Sequence, residues 1–229
     1  MQKIKLSILF WIFGICSTYA QTNKASSFEG TIKYSFELNG DMATMMKAFL
    51  PESMTFRFKG QNMAMSIDGG IMASMGNILF LGEKNEAFII DKSAKKILKM
   101  NPKSKELKPA PPIVVKEAEV ITVAGFPCQK YRISTRDKAG NAKISYLWAT
   151  DKLQLPKLNN PTGAADQFRN FTIKGVNGIP LKMSSNDPKM GNIILTAISI
   201  NPEKVAESFF ILPDDYTLEE FDPMKAGFK

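Results

Sequence analysis

From Phe28 onward the chain repeats a pattern that few folds can use, an apolar side chain at every second position. In FEGTIKYSFEL, Phe28, Ile32, Tyr34, Phe36 and Leu38 share one parity, while Glu29, Thr31, Lys33, Ser35 and Glu37 hold the other. Period two with a single apolar face is the signature of a half-buried β-strand. The alternation returns at Met54, Phe56 and Phe58, at Met63, Met65 and Ile67, at Tyr131 and Ile133, and at Ile144, Tyr146 and Trp148. Turn residues separate these runs: Asp68-Gly69-Gly70, Asp91-Lys92-Ser93, the stretch 137–141, and Asn177-Gly178. Short strands joined this way predict antiparallel meanders with one dry and one wet face.

Two segments depart from the pattern. In DMATMMKAF, residues 41–49, Met42, Met45, Met46 and Phe49 stand at i, i+3, i+4 and i+7, one face of a short helix. Asp41 is placed to cap it and Pro51 to end it. Residues 101–116 read NPKSKELKPAPPIVVK, rich in proline and lysine. Strands of one type flank this stretch, which favours an exposed excursion within a single domain of residues 21–229 over a linker between two. A second short helix is expected at 161–169.

The first twenty residues read as an export signal. Lys3 and Lys5 precede the apolar run LSILFWIFGI, and Thr18-Tyr19-Ala20 has the small-x-small form of a cleavage site. Cys16 offers lipidation as the alternative, but Ile15 stands where that reaction wants a small residue. The sequence carries 30 basic and 22 acidic residues, and loss of Lys3 and Lys5 with the signal leaves a net charge of +6. Only Arg57, Arg132, Arg136 and Arg169 are arginines, so the planar fork favoured in nucleic-acid recognition is scarce. Weak attraction to an anionic envelope surface fits this charge, peripheral to the membrane at most. Cleavage would also leave Cys128 as the single thiol, with no intramolecular disulfide.

Histidine is absent, which removes imidazole acid–base catalysis, His-based triads and the usual zinc-hydrolase sets. Cys128, in GFPCQKY, lacks that partner and reads as a small buried hydrophobe. Asp214-Asp215 and Glu219-Glu220 are adjacent pairs whose members point apart on an extended chain. Eight of the thirteen methionines fall between residues 42 and 75. Met42-x-x-Met45 and Met72-x-x-Met75 have the spacing of exported Cu(I)-binding segments. The strand parity of Met63 and Met65, and the shared helical face of Met42, Met45 and Met46, instead predict an apolar interior.

Several motifs, in order, resemble a known family. FEGTIKYSFE is similar to its first strand, NMAMSIDGG to a methionine-bearing hairpin, and AFIIDKSAKKILKMN to a hairpin with an Asp-Lys turn. VITVAGFPCQKYRIST carries Gly125, Cys128, Lys130 and Tyr131 in the family's pattern. YLWAT with Trp148 and NGIPLKM follow. INPEKVAESFFILPDDY resembles the closing segment through Pro202, Val205, Phe209, Pro213 and Tyr216. The chain thus resembles the exported domain-of-unknown-function family 4412, related to the LolA-like lipoprotein-carrier fold. The resemblance implies a mainly β protein, a single curved antiparallel sheet or half-barrel, with short helices in or near its concave face. It implies no activity and no cofactor.

On this reading the protein is a non-enzymatic envelope protein, periplasmic or outer-membrane-associated. It would hold a lipid-like or other hydrophobic ligand in the concavity, with an envelope protein as a further partner. The cavity candidates are Met42, Met45, Met46, Phe49, Phe56, Met63, Met65, Tyr146 and Trp148. The alternatives are a structural or interaction domain with a filled core, and a Cu(I)-binding protein using the methionines.

Overall fold

The computed structural model describes residues 27–100, 111–136, 140–155, 173–187 and 191–221. The expected excursion (largely) and the expected helix at 161–169 lie outside these residues. The strands are β1 (Gly30–Asn39), β2 (Ser53–Lys59), β3 (Asn62–Asp68), β4 (Asn77–Leu81), β5 (Glu86–Asp91) and β6 (Lys96–Met100). They continue as β7 (Ile113–Val123), β8 (Phe126–Arg136), β9 (Ala142–Thr150), β10 (Ile179–Asp187), β11 (Gly191–Asn201) and β12 (Thr217–Glu220). All belong to one 12-stranded sheet in the order β12-β6-β5-β4-β3-β2-β1-β11-β10-β9-β8-β7.

Two meanders make up this order, β1 to β6 and β7 to β11, each formed of successive antiparallel hairpins. The central seam joins β1 to β11, with Tyr34 opposite Ala197 and Phe36 opposite Leu195. β12 is the exception to antiparallel pairing, lying parallel to β6 with Leu218 opposite Ile97. The Asp91 turn forms as expected between β5 and β6, its carboxylate accepting the backbone N–H groups of Ser93 and Ala94 at 2.9 Å.

The sheet is curved and unclosed. β7 and β11 stand four places apart, about 19 Å in a flat sheet at the usual spacing. Their Cα atoms nevertheless approach within 8 Å. Register shifts at Lys33/Tyr34 opposite β11, at Pro180/Lys182 and at Lys116/Val120 supply bulges, which raise local twist.

On the concave side the expected parity holds. Ile32, Tyr34, Phe56, Phe58, Met63 and Phe80 pack with Cys128, Trp148, Ile179 and Leu181 from the other meander. Strands this far apart in the order can share a cluster only where the sheet curls inward. The rings of Tyr34 and Phe56 meet edge-on at 5.5 Å, and those of Phe28 and Phe58 at 6.0 Å.

The expectation of a wet second face is corrected on both halves. Val205, Phe210, Leu212 and Tyr216, from the chain between β11 and β12, cover Ala64, Leu79, Phe88, Ile90 and Ile97. Ile173 and Val176 pack on Tyr131, Ile133, Leu147 and Ala149. The first cover is pinned by Lys59, whose ammonium donates to the Val205 carbonyl at 2.9 Å and pairs with Glu207 at 2.7 Å.

The helix is also corrected. It is a single turn, α1 (Ala43–Met46), and buries none of its residues. Asp41 does not cap it; Met42 holds that position without a side-chain bond. One turn cannot carry a stripe that needs two, so Phe49 falls beyond it and stands exposed.

Candidate ligand site

The nine sequence-predicted residues fall into two groups. Phe56, Met63 and Trp148 are buried and Met65 and Tyr146 half-buried, and all five belong to the concave cluster. There Met63 and Met65 share one cluster with aromatic side chains, a setting flexible thioethers suit. Met42, Met45, Met46 and Phe49 lie outside that cluster, on the connection from β1 to β2. Met42 and Met46 are half-buried, Met45 is 70% exposed and Phe49 48% exposed. Their expected place in the interior does not hold.

A separate space lies beside the α1 segment, and none of the nine predicted residues lines it. A pocket of about 650 Å³ opens where the α1 segment overhangs the end of β1, within the roughly 300–1,000 Å³ common for small-molecule sites. Phe36 and Leu38, on the same parity as Ile32 and Tyr34, line it together with Ala43, Ala48, Leu50 and Pro51. Glu37, Asn39, Thr44, Lys47 and Glu52 line it as well, so polar and apolar groups share its wall. A lining that mixes apolar with charged and polar groups is suited to an amphiphile.

The overhang is held by main-chain bonds that the sequence did not announce. Ile71 and Met72, in a 3-10 turn at Ile71–Met75, donate backbone N–H groups to the carbonyls of Ala48 and Phe49 at 3.1 and 3.3 Å. Gly70 makes this approach possible. At φ 62° it is left-handed, and a Cβ there would lie 2.1 Å from the Leu50 carbonyl oxygen. The Gly69-Gly70 pair was legible as a turn, but its role in joining two connections was not.

A polar network stands at the other end of the concave cluster. The Trp148 indole N–H donates to Glu119 at 2.8 Å, and Lys130 pairs with Glu119 at 3.0 Å and Glu117 at 3.4 Å. The ammonium groups of Lys130 and Lys182 lie 5.3 and 5.2 Å from the centre of the Trp148 ring. The bond from Trp148, then that from Lys130, holds the Glu119 carboxyl below its ordinary value. These contacts tie the bulged edge strand β7 to β9. Burial pushes the Cys128 thiol up to about 11, leaving it protonated and unreactive at neutral pH. Among the described residues no group of three or more Cys, Asp or Glu could hold a metal ion.

Comparison with known proteins gives the following. The model of a family described as Domain of unknown function (DUF4412) matches residues 36–216. Solved structures similar to the chain include "Crystal structure of MucB", at 12% identity and a TM-score of 0.44, covering 84% of this chain and 60% of that one. An uncharacterized conserved protein from Thermus thermophilus matches at 8% identity and a TM-score of 0.42, covering 84% and 91%. A LolA superfamily protein, NE2245 from Nitrosomonas europaea, matches at 10% identity and a TM-score of 0.37, covering 81% and 91%. The chain spans 60% of the length of MucB. No curated protein matches it.

Proposed function

The chain belongs to the DUF4412 family, whose description names no function, and from its own geometry we propose a non-enzymatic exported protein that binds a lipid-like or other hydrophobic ligand. The observation that carries this reading is the pocket beside the α1 segment, whose wall joins Phe36, Leu38, Leu50 and Pro51 to polar and charged side chains. The N-terminal signal pattern supports an envelope location, and among the described residues no helix is long and apolar enough to cross a membrane. The lack of histidine in the sequence and, among the described residues, of clustered ligating groups supports a binding role over catalysis.

The filled centre of the concave face favours a second reading. With Ile32, Tyr34, Ile179 and Leu181 fully buried, that part of the sheet is a core. A domain of this kind can serve as an interaction module with no small ligand.

An environment-sensitive apolar probe separates the two. Under the ligand reading it binds the folded protein, fatty acid or phospholipid displaces it, and Ala43→Trp, which puts an indole into the pocket wall, weakens binding while the protein stays folded. Absence of probe binding by the wild type supports the interaction module. Binding untouched by Ala43→Trp places the ligand elsewhere and overturns the pocket assignment.

A further inference from the structure

The closing strand β12 meets its neighbour β6 with opposite charge. Residues 92–99, which span the β5–β6 turn and most of β6, hold Lys92, Lys95, Lys96 and Lys99 and no acid. Residues 214–220 hold Asp214, Asp215, Glu219 and Glu220 and no base. Lys95 pairs with Asp215 at 3.0 Å and Lys96 with Glu219 at 2.7 Å, and Glu220 stands opposite Lys99 in the register. The backbone N–H groups of Thr217 and Phe221 donate to the carbonyls of Lys95 and Lys99 at 3.0 and 2.8 Å.

The rest of the protein does little to hold this strand. All four of its residues are exposed. The apolar anchors of the closing segment, Val205, Phe210, Leu212 and Tyr216, all precede it. Exposed ion pairs add little to stability, so β12 can leave β6 while the cover over the sheet stays in place. Its departure frees a row of main-chain groups on a strand rich in lysine, the kind of edge to which an extended segment adds.

We propose that the outer edge of β6 is an acceptor for an acidic extended segment of another protein, and that β12 fills it in cis until such a partner takes its place. β12 itself shows the chemistry this edge accepts, carboxylates on either side of an apolar residue, with Leu218 opposite Ile97. A second copy is the weaker candidate. Tyr216, packed on the sheet, directly precedes Thr217 and leaves β12 no slack to cross to another molecule. β6 contributes no residue to the pocket, so the two roles stand or fall separately.

Fluorescence anisotropy of the processed protein with a labelled peptide DYTLEEF, the sequence of residues 215–221, tests this. Asp215→Lys combined with Glu219→Lys, at exposed side chains, reverses both ion pairs and releases β12. Thr217→Pro releases it by removing the N–H that meets Lys95. The peptide should bind each variant at least tenfold more tightly than the wild type, whose edge is already filled. A peptide with lysine in place of its three acids should bind none of them. Adding Lys96→Glu to Thr217→Pro should lower the affinity for the acidic peptide at least tenfold. Circular dichroism matching the wild type identifies the variants that remain folded. No binding to the folded variants, equal affinity for them and the wild type, or indifference to the charge of the peptide would overturn the proposal. So would a wild-type dimer that Thr217→Pro dissolves, since a second copy would then be the occupant.

Discussion

Tyr34→Phe probes the seam of the sheet and carries a pH signature that no simple packing change would give. The Tyr34 side chain is fully buried on β1, and its hydroxyl donates to the Pro180 carbonyl of β10 at 2.8 Å, reaching across β11. Removing the hydroxyl leaves that carbonyl without its donor, at a cost of about 1–2 kcal/mol near pH 7. For a chain of this size the melting temperature should fall by roughly 3–6 °C. Burial, and secondarily the nearby Cys128 thiol, hold the phenol far above its ordinary 10.0. Below pH 10 the phenol is protonated in both states and its contribution is intact. Above pH 10 the unfolded chain releases a proton that the folded chain keeps, so wild-type stability falls by up to about 1.4 kcal/mol per pH unit. The variant has no such phenol. Cys128 and the other tyrosines are common to both proteins and cancel in the difference. Urea denaturation from pH 7 to 11 should therefore show the wild-type advantage shrinking above pH 10 and vanishing near pH 11. Parallel curves over that range would refute the reasoning, because the phenol would then ionise as readily in the folded protein.

Cys128 should react slowly with a thiol reagent at pH 8 until the protein is unfolded, and rapid labelling of the native state would contradict its burial. Met65→Leu should cost less than about 1.5 kcal/mol, whereas Met63→Lys, burying an unpaired ammonium, should prevent folding by circular dichroism. Met45→Lys should be tolerated; tight Cu(I) binding lost on replacing Met45 by leucine would revive the thioether alternative. With the signal removed, Trp148 is the only tryptophan, so intrinsic fluorescence reports its contact with Glu119. Because the folded carboxyl is held below its ordinary 4.5, that contact persists as pH falls through the normal glutamate range. The acid transition of native emission should have its midpoint below 4.5. Finally, N-terminal mass analysis should find Gln21 first with no lipid, and diacylglycerol on Cys16 would refute this.

The legible parts of the fold were those whose cause is local. β1, β2 and β3 announce themselves by alternation because the apolar parity of each faces the concavity. Phe56, Met63, Met65, Tyr146 and Trp148 were placed by the same signal. Alternation says nothing of a second cover supplied from far along the chain. Ala87-Phe88-Ile89-Ile90 is buried on both faces because residues 205–216 fold back over it, and Leu147 and Ala149 because Ile173 and Val176 do. The helix failed for the opposite reason. Its periodicity was real, but one turn has too few internal hydrogen bonds to hold a two-turn stripe. The pocket depends on two main-chain bonds between separate connections, for which no side-chain pattern exists.

The seam between β1 and β11 has a kinetic consequence. Tyr34 and Ala197 are neighbours in space yet stand at nearly opposite ends of the described chain. A hairpin closes within microseconds, so the β2–β6 meander can assemble as soon as its residues are free. β1 must wait with one edge unpaired until β11 arrives, and a sheet dominated by such distant pairings folds slowly. For a polypeptide delivered N-terminus first, nearly the whole length has to emerge before the concavity exists. Until then Ile32, Tyr34, Phe56 and Phe58 face water on an open sheet. That interval, more than the finished molecule, is where aggregation threatens and where a chaperone would have work to do.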